Sequence, residues 1–270
     1  MLAEVRHGFE RAYKPLWRRS VIAQGTDVTA EHATRSCIVF APHPDDESLG
    51  CGGLIALLVL LFFALPTRRI VFAKRYDVVP IASSAEYKDP ARLARARAGP
   101  AVSGYPSPPE YQSNGSRCGP TSLANVFTSF GQRTSADDVL AGSGKCRGGF
   151  CFMGLTLDEL AELARRRAGY RVSVLRDLSL ADLRGHLARV NDPSRRYVIN
   201  FDRGPLFGRE GGHHSPLGGY LPDEDLVLVL DVNARYEPWL AKTERVFAAI
   251  DTVDPSSDRK RGLLLVERAE

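Results

Sequence analysis

The stretch Tyr111-Gln112-Ser113-Asn114-Gly115-Ser116-Arg117-Cys118-Gly119-Pro120-Thr121-Ser122 constrains the chain more than any other. Gly115 and Gly119-Pro120 are turn and helix-start signals. Beyond them Leu123, Val126 and Phe127 recur at three- and four-residue spacing, the period of a helix with one buried face. The loop therefore delivers Cys118 to a helix N-terminus. There the unpaired backbone N–H groups and the positive end of the helix dipole favour thiolate over thiol, the condition for a nucleophile. Plain core packing is the other use of a lone cysteine on such a helix, so the rest of the chain decides between them.

The 270 residues suffice for one large or two small domains, and an apolar content of 44% supports a sizeable core. Net charge is +4, from 36 basic and 32 acidic residues, with the arginines spread along the chain. That balance argues against nucleic acid as a partner. The odd count of five cysteines leaves at least one free thiol, and no CxxC pair or Cys/His zinc spacing occurs. Cys146 and Cys151 bracket a glycine-bearing loop. A disulfide, a soft-metal contact or neither is open to them, and with no partner histidines the spacing favours neither.

Residues 1–36 are polar and arginine-rich, with a helix expected around Glu4 to Trp17. Cys37 to Ala41 is a short apolar run, expected as a buried strand. It leads into Pro42-His43-Pro44-Asp45-Asp46-Glu47 and then Gly50-Cys51-Gly52-Gly53. Imidazole and carboxylate at such a turn suit zinc, with a further carboxylate as base toward a bound water. Residues 35–56 resemble the first strand and metal loop of LmbE-like N-acetylglucosaminyl deacetylases. The resemblance implies His43 and Asp46 as metal ligands and Asp45 as general base. That family needs a later histidine, and none of His7, His32, His186, His213 and His214 lies in a matching motif. Two protein ligands do not make a catalytic zinc site. Residues 1–51 therefore read as a truncated α/β fragment, with the ligands meaningful only if the fragment functions.

An uncharged hydrophobic run follows in segment 52–66. It is shorter than the roughly 20 residues that span a bilayer and lies too far from Met1 for an ordinary signal peptide. It is expected as an anchor, a signal-like segment or a buried helix. If 52–65 anchors the chain, the protein is membrane-associated or exported in a bacterium; otherwise it is cytoplasmic. Residues 67–110 read as a linker and N-terminal extension, with one helix expected from Pro90 to Ala98 and loop signals at Gly99-Pro100, Gly104, Pro106, Pro108 and Pro109.

Residues 111–270 read as the catalytic domain. After the Cys118 helix, Ser135 caps a short helix through Leu140. Thr156 to Glu159 is a capping box for a helix through Arg167, ended by Gly169. Tyr170 to Leu175 alternates like a strand, and Ser179 to Asp182 caps a helix through Val190 that carries His186, expected as a surface or packing residue. Strands are then expected at Tyr197 to Phe201, entering through Gly211–Tyr220, at Asp225 to Asp231, and at Leu263 to Val266. A cysteine-bearing helix followed by strands carrying a histidine and an acid is the order of a thiol enzyme. The base must reach the nucleophile and the acid must orient the base.

Residues from about 76 to 267 resemble phytochelatin synthases. The resemblance is carried by Gln112 six residues before Cys118-Gly119, by Gly212-His213-His214-Ser215-Pro216-Leu217-Gly218-Gly219-Tyr220, by Leu228-Val229-Leu230-Asp231-Val232, and by Lys260-Arg261-Gly262-Leu263-Leu264-Leu265. The family pattern has Gly-His-Phe-Ser-Pro where this chain has Gly-His-His-Ser-Pro, so His213 takes the catalytic position and His214 replaces a phenylalanine. The resemblance implies an α+β papain-like fold, a helix bearing the nucleophile packed on an antiparallel sheet. It implies Cys118 as nucleophile, His213 as base and acid, Asp231 as its orienter and Gln112 as an oxyanion donor. Arg235, Gly212 and Ser215 are candidate substrate contacts, Arg235 toward a γ-glutamyl carboxylate. The implied substrate is glutathione, cleaved at its Cys–Gly bond with transfer of γ-glutamylcysteine to a second glutathione or to water. No organic cofactor is implied; cadmium or zinc would enter as a glutathione thiolate complex. Two other readings compete: a metal-thiolate binding module using Cys118, Cys146, Cys151 and His213-His214, and an inactive fusion product.

Overall fold

A computed structural model describes residues 74–146, 149–151 and 154–269. The chain divides between Phe63 and Ala64, and every described residue belongs to the second unit. The helix expected at Glu4–Trp17, the strand at Cys37–Ala41, the His43–Asp46 loop and the hydrophobic run at 52–65 lie outside the described residues. Among the described residues, no helix is long and apolar enough to cross a membrane.

Helix α1 (Pro90–Arg97) starts as the sequence predicts: Pro90 takes the first helical position and the Asp89 side chain accepts from the Arg92 N–H. Helix α2 (Cys118–Ser129) carries almost wholly buried residues. Short helix α3 (Ala136–Leu140) and helix α4 (Leu157–Arg165) both open on capping boxes, Ser135 with Asp138 and Thr156 with Glu159. Strand β1 (Tyr170–Leu175) follows, then α5 (Leu180–Leu187), capped by Ser179 with Asp182, then β2 (Arg195–Asp202) and the single turn α6 (Gly204–Phe207). Strands β3 (Gly212–Leu221), β4 (Leu226–Val229) and β5 (Trp239–Lys242) lead into α7 (Thr243–Ile250). The hairpin of β6 (Val253–Asp254) and β7 (Arg259–Lys260) precedes β8 (Gly262–Arg268).

Six strands form one sheet in the order β1-β8-β2-β3-β4-β5. Every pairing in it is antiparallel, which gives a mixed α/β structure built on an antiparallel sheet. The central strand β2 is buried on both faces, and alternation divides its side chains between two apolar layers. Val198 joins Leu123, Phe127, Leu160, Leu228 and Leu264 in the layer with α2 and α4. Tyr197, Ile199 and Phe201 join Leu183, Leu187, Val246 and Trp239 in the layer with α5 and α7. Burying one such large side chain contributes roughly 1.5–3 kcal/mol, so both layers are needed to hold the sheet between its helices.

The composition of residues 67–110 predicts a linker, yet its described part is built into the fold. Arg75 bridges Arg209 and the Tyr76 hydroxyl donates to Asp202 at 3.1 Å. Ala96 and Tyr105 are core residues of the α2 layer. Helix α1 approaches β3 so closely that a Cβ on Gly219 would lie 2.4 Å from the Ala96 carbonyl oxygen, which explains the glycine there. Turn residues mark where the chain bends; they do not report what the bends pack against.

Candidate active site

Cys118 is the first residue of α2 and is buried. The loop before it is held by a compact set of hydrogen bonds. Asn114 Oδ1 accepts from the Ser116 N–H at 3.0 Å and from its hydroxyl at 2.7 Å, and Ser116 Oγ accepts from the Cys151 N–H at 3.0 Å. Buried Arg117 pairs with Asp137. Cys146 and Cys151 are joined in a disulfide, which corrects the expectation that neither bonded, and Cys118 is the free cysteine among the described residues. The same bond removes two of the thiolates that a metal-thiolate module would need.

His213 and His214 are both buried at the head of β3. Alternation sends them to opposite faces: His213 lies opposite Phe201 and His214 opposite Asn200 on β2. Cys118 stands at the end of its helix. His214 Nδ1 lies 3.8 Å from Cys118 Sγ, and His213 lies near enough to lower the pKa of the thiol. His213 Nε2 meets Asp231 Oδ1 at 2.9 Å.

Asp231 follows β4 and is fully buried. Besides His213 it accepts from Trp239 Nε1 at 2.9 Å, from the Asn233 N–H at 2.9 Å and from Arg203 at 3.0 Å. Burial works against its charge, but His213, Arg203 and Trp239 outweigh that and hold the carboxyl far below the usual range. Burial and Arg203 oppose a charge on His213, but Asp231 and Cys118 raise its pKa above the ordinary imidazole value. Burial likewise pushes the Cys118 thiol up, and His213 and His214 together bring it well below its ordinary value. These directions describe a thiolate–imidazolium pair seated on a carboxylate.

The sequence-expected residues fare unequally. Gln112 is half-buried; its N–H donates to Val232 O at 2.8 Å, one residue past Asp231, and its Oε1 is buried without a hydrogen-bond partner. Arg235 is exposed, with its N–H on Asn233 Oδ1 at 3.0 Å. Gly212 is exposed, and a Cβ there would sit 2.8 Å from Arg261 Nη1. Ser215 is fully buried and its hydroxyl accepts from the Val232 N–H at 3.4 Å, which braces β3 against the segment after Asp231. His186 is a packing residue, with Nδ1 at 3.4 Å from the Tyr197 hydroxyl. His43, Asp45 and Asp46 lie outside the described residues. Sequence reasoning missed Arg203, Trp239, Asn200 and Arg261. Only the late Lys260-Arg261-Gly262 motif gave any signal for them, and it did not reveal the role.

Comparison with known proteins bears on this arrangement. Residues 151–263 match the phytochelatin synthase family. The matched segment holds His213 and Asp231 and stops short of Cys118 and Gln112. Glutathione gamma-glutamylcysteinyltransferase 1 of Triticum aestivum is 33% identical over 119 residues, 43% of this chain and 24% of that protein. Glutathione gamma-glutamylcysteinyltransferase 3 of Lotus japonicus is 29% identical over 119 residues, 43% of this chain and 25% of that protein. The chain thus spans about a quarter of the length of these relatives. Among solved structures, the peptidase domain of Streptococcus ComA, a bi-functional ABC transporter, overlaps at TM-score 0.41 and 17% identity, over 59% of this chain and 97% of that one. A likeness that low carries no functional argument.

Proposed function

We propose that the chain is a γ-glutamylcysteine dipeptidyl transpeptidase acting on glutathione through a papain-like Cys118–His213–Asp231 centre. The buried His213–Asp231 pair, with His213 lowering the pKa of the helix-terminal Cys118, in a chain whose residues 151–263 match phytochelatin synthases, carries the reading. Cys118 Sγ attacks the carbonyl carbon of the Cys–Gly bond of glutathione. The oxyanion meets the Cys118 N–H, which has no acceptor within the first helical turn, and the Gln112 side-chain amide. One such donor is worth roughly 10²–10³ in rate. The tetrahedral intermediate collapses as His213 passes its proton to the departing glycine nitrogen, leaving a γ-glutamylcysteinyl thioester on Cys118 and a neutral imidazole. That imidazole then takes a proton from the acceptor, either the α-amino group of a second glutathione or water. The acceptor displaces the Cys118 thiolate and His213 ends as imidazolium. Exposed Arg235 is suited to the γ-glutamyl carboxylate. Cadmium or zinc enters as a bis-glutathione thiolate complex, as part of the substrate.

Incubating glutathione with the full chain, with and without cadmium, and following products by mass spectrometry tests the reading. Glycine release with γ-glutamylcysteine or its oligomers is expected, and Cys118→Ala abolishes it while the fold persists. Release at the wild-type rate by that variant would sink the nucleophile assignment.

A further inference from the structure

Arg261 fixes the chemistry of His214. A guanidinium only donates, and Arg261 Nη1 lies 3.2 Å from Asn200 Oδ1. The amide oxygen of Asn200 must therefore face Arg261, so its nitrogen faces His214 Nε2, at 2.7 Å. An amide nitrogen also only donates, so His214 Nε2 offers its lone pair and the ring proton sits on Nδ1. That N–H faces Cys118 Sγ at 3.8 Å, within reach of a sulfur acceptor. Asn200, His214 and Arg261 are 1%, 2% and 5% exposed, too little for water to substitute in the relay. Arg261 is anchored in turn by Asp254 at 3.7 Å, and a Cβ at position 212 would press on its guanidinium at 2.8 Å from Nη1.

We propose that His214 is a further catalytic residue: a neutral imidazole, its tautomer set by Asn200 and Arg261, that donates its Nδ1–H to the Cys118 thiolate. The proposal rests on Cys118 acting as the nucleophile. His214 cannot take the thiol proton, because Nδ1 already carries one and Nε2 is occupied by a donor. It therefore does not compete with His213 as base. It stabilises the charge on sulfur before attack and meets the same charge again when the thioester breaks and thiolate is the leaving group. No proton changes hands at His214 in either step. This differs from a Cys-His-Asn triad, in which the asparagine orients the histidine that acts as base.

The experiment is the pH dependence of Cys118 alkylation by iodoacetamide, resolved by peptide mass spectrometry, in wild type, His214→Phe and His214→Asn. Asparagine places an amide N–H near the position of Nδ1 and does not titrate. Loss of a hydrogen bond to a charged group should cut alkylation of His214→Phe about tenfold at pH values below the midpoint, with the midpoint moved up by about one unit. His214→Asn should keep the wild-type midpoint. A wild-type midpoint in His214→Phe, or a His214→Asn midpoint shifted as far as that of His214→Phe, overturns the proposal. The assay needs no glutathione: a wild type that releases no glycine while the midpoints still separate overturns the glutathione reading and upholds this one.

Discussion

His213 and His214 are neighbours on one strand and both lower the pKa of the same thiol, yet their outer nitrogens meet opposite chemistry. His213 Nε2 faces the Asp231 carboxylate, an acceptor that cannot donate. His214 Nε2 faces the Asn200 amide nitrogen, a donor pinned in that orientation by Arg261. The first partner favours an imidazolium that can give and take a proton; the second holds a neutral ring with its proton already toward sulfur. Residue type does not separate the two. The atom one bond further out does.

The largest effect is expected from making the two sides alike. Asp231→Asn places an amide among three side-chain donors, His213, Trp239 and Arg203. It removes the acceptor that orients His213 and stabilises its charged form. Glycine release should fall by about 10³–10⁴ in kcat, as for an amide in a Ser-His-Asp triad. Urea unfolding should show a loss of roughly 3 kcal/mol, because Arg203, largely but not fully buried, is left without its countercharge. Activity within tenfold of wild type would remove the asymmetry between the two histidines.

The pH profile sharpens the same contrast. The thiol of Cys118 is lowered and His213 is raised, so the charged pair persists between the two values. kcat/KM should rise as the thiol ionises, hold a plateau, and fall as pH passes the raised His213 value. Asp231→Asn should bring the alkaline limb toward acid, whereas His214→Phe should move only the acid limb. Linkage gives a matching sign in stability. The folded pKa of Asp231 is depressed, so its contribution is present above the unfolded carboxylate value and lost as pH falls through the folded one. The Tm deficit of Asp231→Asn against wild type should therefore be full at neutral pH and shrink below pH ~4.

A smaller effect is expected at Trp239, which donates to Asp231 from the neighbouring strand β5 at 2.9 Å. Trp239→Phe keeps most of the apolar contact with Phe201 and Phe207 and removes the N–H. Urea unfolding should show a loss of about 1.5–3 kcal/mol, the range for a hydrogen bond to a charged group. An unchanged midpoint would mean that His213, Arg203 and the Asn233 N–H satisfy the carboxylate without it.

What the sequence revealed of this site follows from which forces act locally. Capping boxes and helical periodicity are set within a few residues, so the helices opened by Ser135, Thr156 and Ser179 and the strand Tyr170–Leu175 were legible. Cys118, His213 and Asp231 stood out through motif spacing. Asn200 did not, because it sits inside the apolar run Tyr197–Phe201, and its meaning comes from Arg261, which is distant in sequence. Trp239 was hidden for a related reason: β5 is four residues long and follows an irregular turn, too short for period-two alternation to declare itself. The burial of Ser215 was not legible, because a motif gives identity without burial.

The smallest effect on chemistry is expected at the disulfide, and it tests where the structural support of Cys118 ends. Cys151 is fully buried and its N–H donates to Ser116 Oγ, while Asn114 Nδ2 donates to Gly149 O at 3.0 Å. The loop that delivers the nucleophile therefore leans on the loop closed by Cys146 and Cys151. Both of those contacts use backbone atoms of the disulfide loop and survive loss of the sulfurs if that loop keeps its path. Closing so short a ring stabilises the fold by about 2 kcal/mol on the chain-entropy account. Replacing both Cys146 and Cys151 by alanine should lower unfolding stability by that amount and leave kcat for glycine release nearly unchanged. A fall in kcat as large as that caused by His214→Phe would show instead that the disulfide aims the helix terminus, and that Cys118 is positioned from the loop side as firmly as from the two histidines.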